Sequence, residues 1–153
     1  MGNNRHEANR FTPIVKALGL VDHVLTITDN INKFPDYSTK EKKNEDGTTT
    51  LVMVQRQDGL VNWAREQAMQ IYLLAWTANE INLDKEPWRK EERLQKQEAA
   101  IHLCGEHLAL IQLCQKHFHL SNKKVRYWGG LAVETREALK WWHNNDKDRY
   151  RGI

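Results

Sequence analysis

The chain has seven histidines and two cysteines, and several of them cluster. Cys104-Gly105-Glu106-His107 is followed by Cys114-Gln115-Lys116-His117, with His102 and His119 close by. Written as two C-x2-H units, the segment has the ligand types of a zinc site. Its helical periodicity argues against one. Cys104 and Cys114 on one continuous helix are separated by roughly 15 Å along its axis. A tetrahedral zinc holds all four ligands at about 2.0–2.3 Å. Only a break at Gly105 or a second subunit could bring both pairs to one ion. The expectation is core cysteines, surface histidines, no metal and no cofactor.

A second set of reactive residue types sits nearer the C-terminus. Arg136 and His143 have six residues between them, and Lys140 stands one turn from each. Histidine can act as acid or base, and arginine can stabilise a pentavalent phosphate. The spacing resembles the R-x4-6-H pattern of the helical ribonucleases called HEPN domains. That resemblance implies an RNA-cleaving toxin or defence protein as the alternative function. Glu137 follows the arginine here, and charged helix flanks produce such spacings by chance. The expectation is therefore no catalytic residue and no enzyme.

A basic binding surface is the third set. Arg136, Lys140 and His143 form a stripe at i, i+4 and i+7. Lys123, Lys124 and Arg126 stand at the start of the same helix, with Lys116, His117 and His119 just across a short turn. Arg89, Arg93 and Lys96 make a similar stripe, interrupted by Glu91, Glu92 and Glu98. Cations at such spacing suit a phosphate backbone, which is recognised by shape and charge. From Met1 to Gln115 there are 14 Lys/Arg against 16 Asp/Glu, whereas Lys116 to Ile153 has 9 against 4. A basic end on a near-neutral body points to an acidic partner, with RNA or DNA first. A solvated C-terminal helix would show the same charge count.

These residues must be placed by helices. The first opens at Thr12-Pro13 and buries Ile14, Ala17, Val21, Val24, Leu25, Thr28 and Ile31, with a stop near Lys33 ahead of Pro35. The second opens at Asp58 and buries Leu60, Trp63, Gln67, Ile71, Leu74, Ala78 and Ile81, ending near residue 82. The third runs from Pro87 to about Phe118 on Leu94, Ile101, Cys104, Leu108, Ile111 and Phe118. A second line, Ala100, Leu103, His107, Leu110 and Cys114, widens its buried face. The fourth is capped by Ser121, buries Trp128, Leu131, Ala132, Thr135, Ala138, Leu139 and Trp142, and gives way near Asn144 to a frayed basic tail. Short links between such helices predict an all-α, antiparallel up-down four-helix bundle, one domain over residues 1–153. The exception is the long connection Phe34–Gln57. There a charge run, Lys40 to Asp46, and Gly47 precede the β-favouring Thr48 to Val54. That stretch can form a short hairpin or strand, offering a docking edge, or remain a loop with a sticky tip.

Trp63, Trp128 and Trp142 fall on inward stripes. Trp141 falls on the opposite side of its helix with Tyr127 and Gly130, the pattern of a subunit contact, so a homo-oligomer is expected. No apolar run approaches the roughly 18 residues that cross a bilayer. The start, Met1 to Glu7, has no apolar stretch behind its charges, and His6 stands where a myristoylation signal needs Ser or Thr. Two cysteines in one helical pattern fit a reducing compartment. A cytoplasmic protein without membrane contact is expected.

The order of motifs resembles one family. Asn32-Lys33-Phe34-Pro35 resembles its first-helix ending. Leu108 to Cys114 followed by Leu120-Ser121-Asn122-Lys123-Lys124 resembles its third helix and turn, and Leu139-Lys140-Trp141-Trp142 its closing motif. The family is the accessory variability determinant of diversity-generating retroelements, similar in fold to four-helix proteins encoded in ribosomal-RNA intervening sequences. The resemblance implies a non-enzymatic bundle, a barrel-shaped pentamer, and binding to a reverse transcriptase and to RNA or DNA during template copying. This chain departs from the pattern in three places. It has no arginine between Leu108 and Gln112, Lys140-Trp141 replaces the paired glycines, and the Lys40–Gln57 insertion is longer.

Overall fold

Apolar side chains spaced alternately three and four residues apart make a straight stripe on a helix, and such stripes bury against one another. The computed structural model of the chain describes residues 12–29, 34, 37–55 and 59–152. It contains helices α1 (Thr12–Ile27), α2 (Leu60–Glu80), α3 (Lys90–Phe118) and α4 (Asn122–Arg149). Each buries a line of residues at this spacing, with a few polar side chains among the apolar ones. On α1 it is Ile14, Ala17, Val21 and Val24; on α2, Val61, Ala64, Ala68, Ile71, Ala75 and Ala78. On α3 it is Gln97, Ala100, Cys104, His107, Ile111 and Cys114; on α4, Trp128, Ala132, Thr135, Leu139, Trp142 and Asp146. Contacts run from α1 to α2, α2 to α3, α3 to α4 and α4 back to α1, which makes a helical bundle. No helix among the described residues is long and apolar enough to cross a membrane.

Between α1 and α2 the chain forms an antiparallel hairpin, β1 (Tyr37–Lys43) and β2 (Thr49–Gln55), in register from Tyr37 opposite Gln55 to Lys43 opposite Thr49. Gly47 supplies the positive φ of 85° that its turn requires, and the Asn44 N–H donates to the Thr48 carbonyl at 2.8 Å. Leu51 and Val52 are exposed on β2.

Four expectations need correction. Leu25 of α1, expected on the buried stripe, is 42% exposed. The buried stripe of α2 is displaced by one residue along most of its length and is built largely of alanine. Trp63 is 55% exposed rather than core, and Leu60, Gln67 and Leu74 are only half-buried. Alanines let neighbouring helices approach closely, and the bulky side chains are left outside. Helix α1 ends at Ile27, well short of Lys33. Arg65 of α2 claims the Thr28 carbonyl at 3.1 Å and its hydroxyl at 2.9 Å, which satisfies the helix end there. The chain around Lys33 and the proposed cap at Asp58 lie outside the described residues. Finally, the C-terminal segment is not frayed from Asn144. Helix α4 continues to Arg149 because Asp146 is buried against Arg93, with Nε–Oδ2 at 2.7 Å and Nη2–Oδ1 at 3.0 Å. Beyond it, Tyr150 packs with Ile81 and Leu83.

Candidate nucleic-acid interface

The turn between α3 and α4 is fixed by local chemistry. Helix α3 stops because His119 adopts a left-handed conformation, φ 55°, which returns the backbone so that the Leu120 N–H reaches the Gln115 carbonyl at 3.1 Å. Leu120 is buried, and the Ser121 hydroxyl then caps α4 by accepting from the Lys124 backbone N–H at 3.2 Å. Gln115 ties the two sides together through Asn122 Oδ1 at 2.9 Å. This turn brings Lys116, His117 and His119 beside Lys123, Lys124 and Arg126, all of them exposed.

No Asp or Glu occurs from His107 to Val133. Among the described residues, Lys116, Lys123 and Arg126 form no ion pair. Lys116 and His117 complement the negative C-terminal end of the α3 dipole. Lys123 and Lys124 do the opposite. They sit in the first turn of α4, which carries no acidic residue, at the positive end of that helix. A cation without a partner is disfavoured at that end of a helix by a few tenths of a kcal/mol, which applies to Lys123.

The remaining basic residues expected at the site are placed differently. Arg89 is held by Glu86 at 3.0 Å and Glu92 at 2.9 Å. Arg93 is turned inward onto Asp146 and the Ile81 carbonyl, with its guanidinium 5.3 Å from the Trp142 ring centre. Lys96 is half-buried beside them. Arg136 and Lys140 both lie 3.8 Å from Glu137. His143 is buried, with Nδ1 3.0 Å from Gln97 Oε1 and Nε2 3.3 Å from Glu98. Lys116, Lys123, Lys124 and Arg126 therefore gather at one end, and Arg89, Arg93, Lys96, Arg136, Lys140 and His143 do not join them. The ribonuclease-like stripe has its histidine inside the α3–α4 contact.

The Cys/His segment lies on an unbroken α3, and the helix does not open at Gly105. Cys104 and Cys114 are buried free thiols whose pKa values burial pushes up to about 12. No group of three or more His, Cys, Asp or Glu among the described residues is placed to hold a metal ion.

Comparison of the chain with protein-family models, curated proteins and solved structures gave no match.

Two of the cavities among the described residues lie at opposite ends of the bundle. One of about 890 Å³ at the far end is lined by polar groups, including Asn82, Asp84, Arg149 and the mutually satisfied Arg93 and Asp146. Trp141 lies on its edge. The other, about 640 Å³, opens beside the basic turn between α1 and α4, with Lys123 and Lys124 among its lining residues. His23 and Tyr127 meet there edge to face at 4.9 Å. His23 was not singled out in the sequence. It lies roughly a hundred residues away from the basic turn, and only the packing of α1 on α4 brings the two together.

Proposed function

We propose that this chain is a cytoplasmic, non-enzymatic nucleic-acid-binding accessory protein that acts beside a reverse transcriptase of a diversity-generating retroelement. The nucleic-acid part is carried by the basic end, where the stretch from His107 to Val133 has no Asp or Glu and Lys123, without an ion pair among the described residues, stands against the dipole of α4. The motif resemblance around Phe34, Leu108–Lys124 and Leu139–Trp142 supports the reverse-transcriptase part.

In this proposal the helices run up-down and antiparallel. The Arg93–Asp146 contact pairs the start of α3 with the end of α4, and the His23–Tyr127 contact pairs the end of α1 with the start of α4. The chain assembles as a homo-oligomer, a pentamer by the family resemblance. Exposed Trp141 supports this, as do exposed apolar side chains on α1 (Val15, Leu18, Leu25) and on α2 (Met69, Leu73, Trp76). Gly130, where an added Cβ would meet nothing within 4 Å, keeps the neighbouring face of α4 flat. Tyr127 already packs on His23 and is assigned to the cavity rather than to the stripe with Trp141. A purely structural adaptor would use the same apolar faces but would leave the basic end without a role.

A gel-shift assay with labelled RNA and single-stranded DNA separates the possibilities. The expected outcome is retarded, intact nucleic acid. RNA cleavage that disappears in His143→Ala would replace this assignment with a ribonuclease, and no retardation at low salt would leave the adaptor.

A further inference from the structure

The cavity between α1 and α4 has a mixed character. Its floor is apolar and aromatic, with Phe34 and the fully buried Trp128, while Lys123 and Lys124 lie on the α4 side. Tyr127 is 61% exposed at its mouth, and its ring is braced by the His23 ring behind it. His23 Nε2 is buried and has no hydrogen-bond partner among the described residues. Burial lowers the His23 pKa, so the ring is neutral and able to exchange a hydrogen bond with a neutral polar edge. At about 640 Å³ the space falls within the roughly 300–1,000 Å³ of small-ligand sites.

We propose that this cavity receives a nucleobase of a single-stranded nucleic acid, which stacks on Tyr127 and presents a polar edge to His23, while Lys123 and Lys124 engage the flanking phosphates. The proposal rests on the nucleic-acid reading above and specifies its ligand. A flat π-surface with a polar rim, joined to phosphates, matches an apolar floor beside two ammonium groups. A phosphate alone would leave the floor unused, and an acidic peptide would use only the lysines. A base paired within a duplex cannot enter, so single strands are selected.

The test is fluorescence anisotropy at low salt with an oligothymidylate, an abasic strand of the same length, the corresponding duplex, and a poly-glutamate competitor. The wild-type chain should bind oligothymidylate about tenfold tighter than the abasic strand, the size expected of one stacked base. The duplex should bind as weakly as the abasic strand. Tyr127→Ala, at an exposed position, should erase that preference while leaving abasic binding unchanged, and Tyr127→Phe should retain it. Equal affinity for oligothymidylate and abasic strand overturns the base site but leaves phosphate binding standing. Displacement by poly-glutamate as effective as by oligothymidylate overturns base recognition in favour of an acidic protein. Binding of neither strand overturns the base site together with the nucleic-acid reading beneath it.

Discussion

The indole N–H of Trp128 donates to Nε2 of His107 at 3.0 Å, with both side chains fully buried. Because an indole can only donate, Nε2 must accept, and the ring proton resides on Nδ1. Nδ1 then donates to Gln67 Oε1 at 2.9 Å. One neutral imidazole thus ties α4 to α2 through α3. Protonation would turn Nε2 into a donor facing another donor.

This arrangement makes stability dependent on acid. Burial lowers the His107 pKa from 6.5 to about 4. The unfolded chain therefore binds a proton in the intervening range that the folded chain refuses. The histidine's contribution is intact above about pH 6.5 and is lost as pH falls toward about 4, where the loss reaches roughly 3 kcal/mol. Urea denaturation measured from pH 7 to pH 4 should show stability falling with acid. A His107→Gln variant should have a shallower slope, and an unchanged slope would contradict the assignment.

The Arg93–Asp146 pair should dominate the C-terminal end of the bundle. Their side chains are 12% and 6% exposed, and Gln97 Nε2 adds a third donor to Asp146 at 2.5 Å. Asp146→Ala leaves a buried guanidinium uncompensated and should cost about 3–5 kcal/mol. Thermal unfolding should report it, together with lost helix signal from the final turns of α4. A substitution neutral in stability would show that Asn144 onward is the frayed tail expected from its polarity.

Both thiols should be inert in the folded protein. Cys104 and Cys114 are buried, and the desolvation that raises their pKa values to about 12 leaves almost no thiolate at neutral pH. Labelling with a disulfide reagent should proceed only as fast as the chain opens and should become rapid in denaturant. Rapid labelling of native protein, or one zinc per purified chain, would contradict the packing of α3.

Periodicity carried most of the fold. The alternating three- and four-residue spacing of α1 and α4 was visible because large apolar residues mark much of the buried face, whereas the fully buried line of α3 runs through Gln97, Ala100, Cys104 and His107 and leaves Ile101, Leu108 and Phe118 half-buried. It misled on α2, where the largest side chains, Trp63, Leu73 and Trp76, lie outside and small alanines lie within. It also stopped short on α4, since Asp146 is polar and its partner Arg93 lies 53 residues away in sequence. For the site, charge density marked the basic turn in the sequence. Spacing alone could not separate the unpaired Lys123 from Arg89, because the acids that hold Arg89 are neighbours with ordinary surface spacing. His143 was read as displayed because its helix position borders the buried stripe, whereas Gln97 and Glu98 draw it inward.

The most direct test is the salt dependence of single-stranded nucleic-acid binding. Four cations at the basic turn, Lys116, Lys123, Lys124 and Arg126, should give log K against log salt a slope of about −3. Replacing Lys123 and Lys124 with alanine should flatten it by roughly 1.4, while Arg89→Ala, at a side chain already held by two glutamates, should leave it unchanged. Binding that ignores salt, or a slope that responds to Arg89 and not to Lys123 and Lys124, would contradict the account.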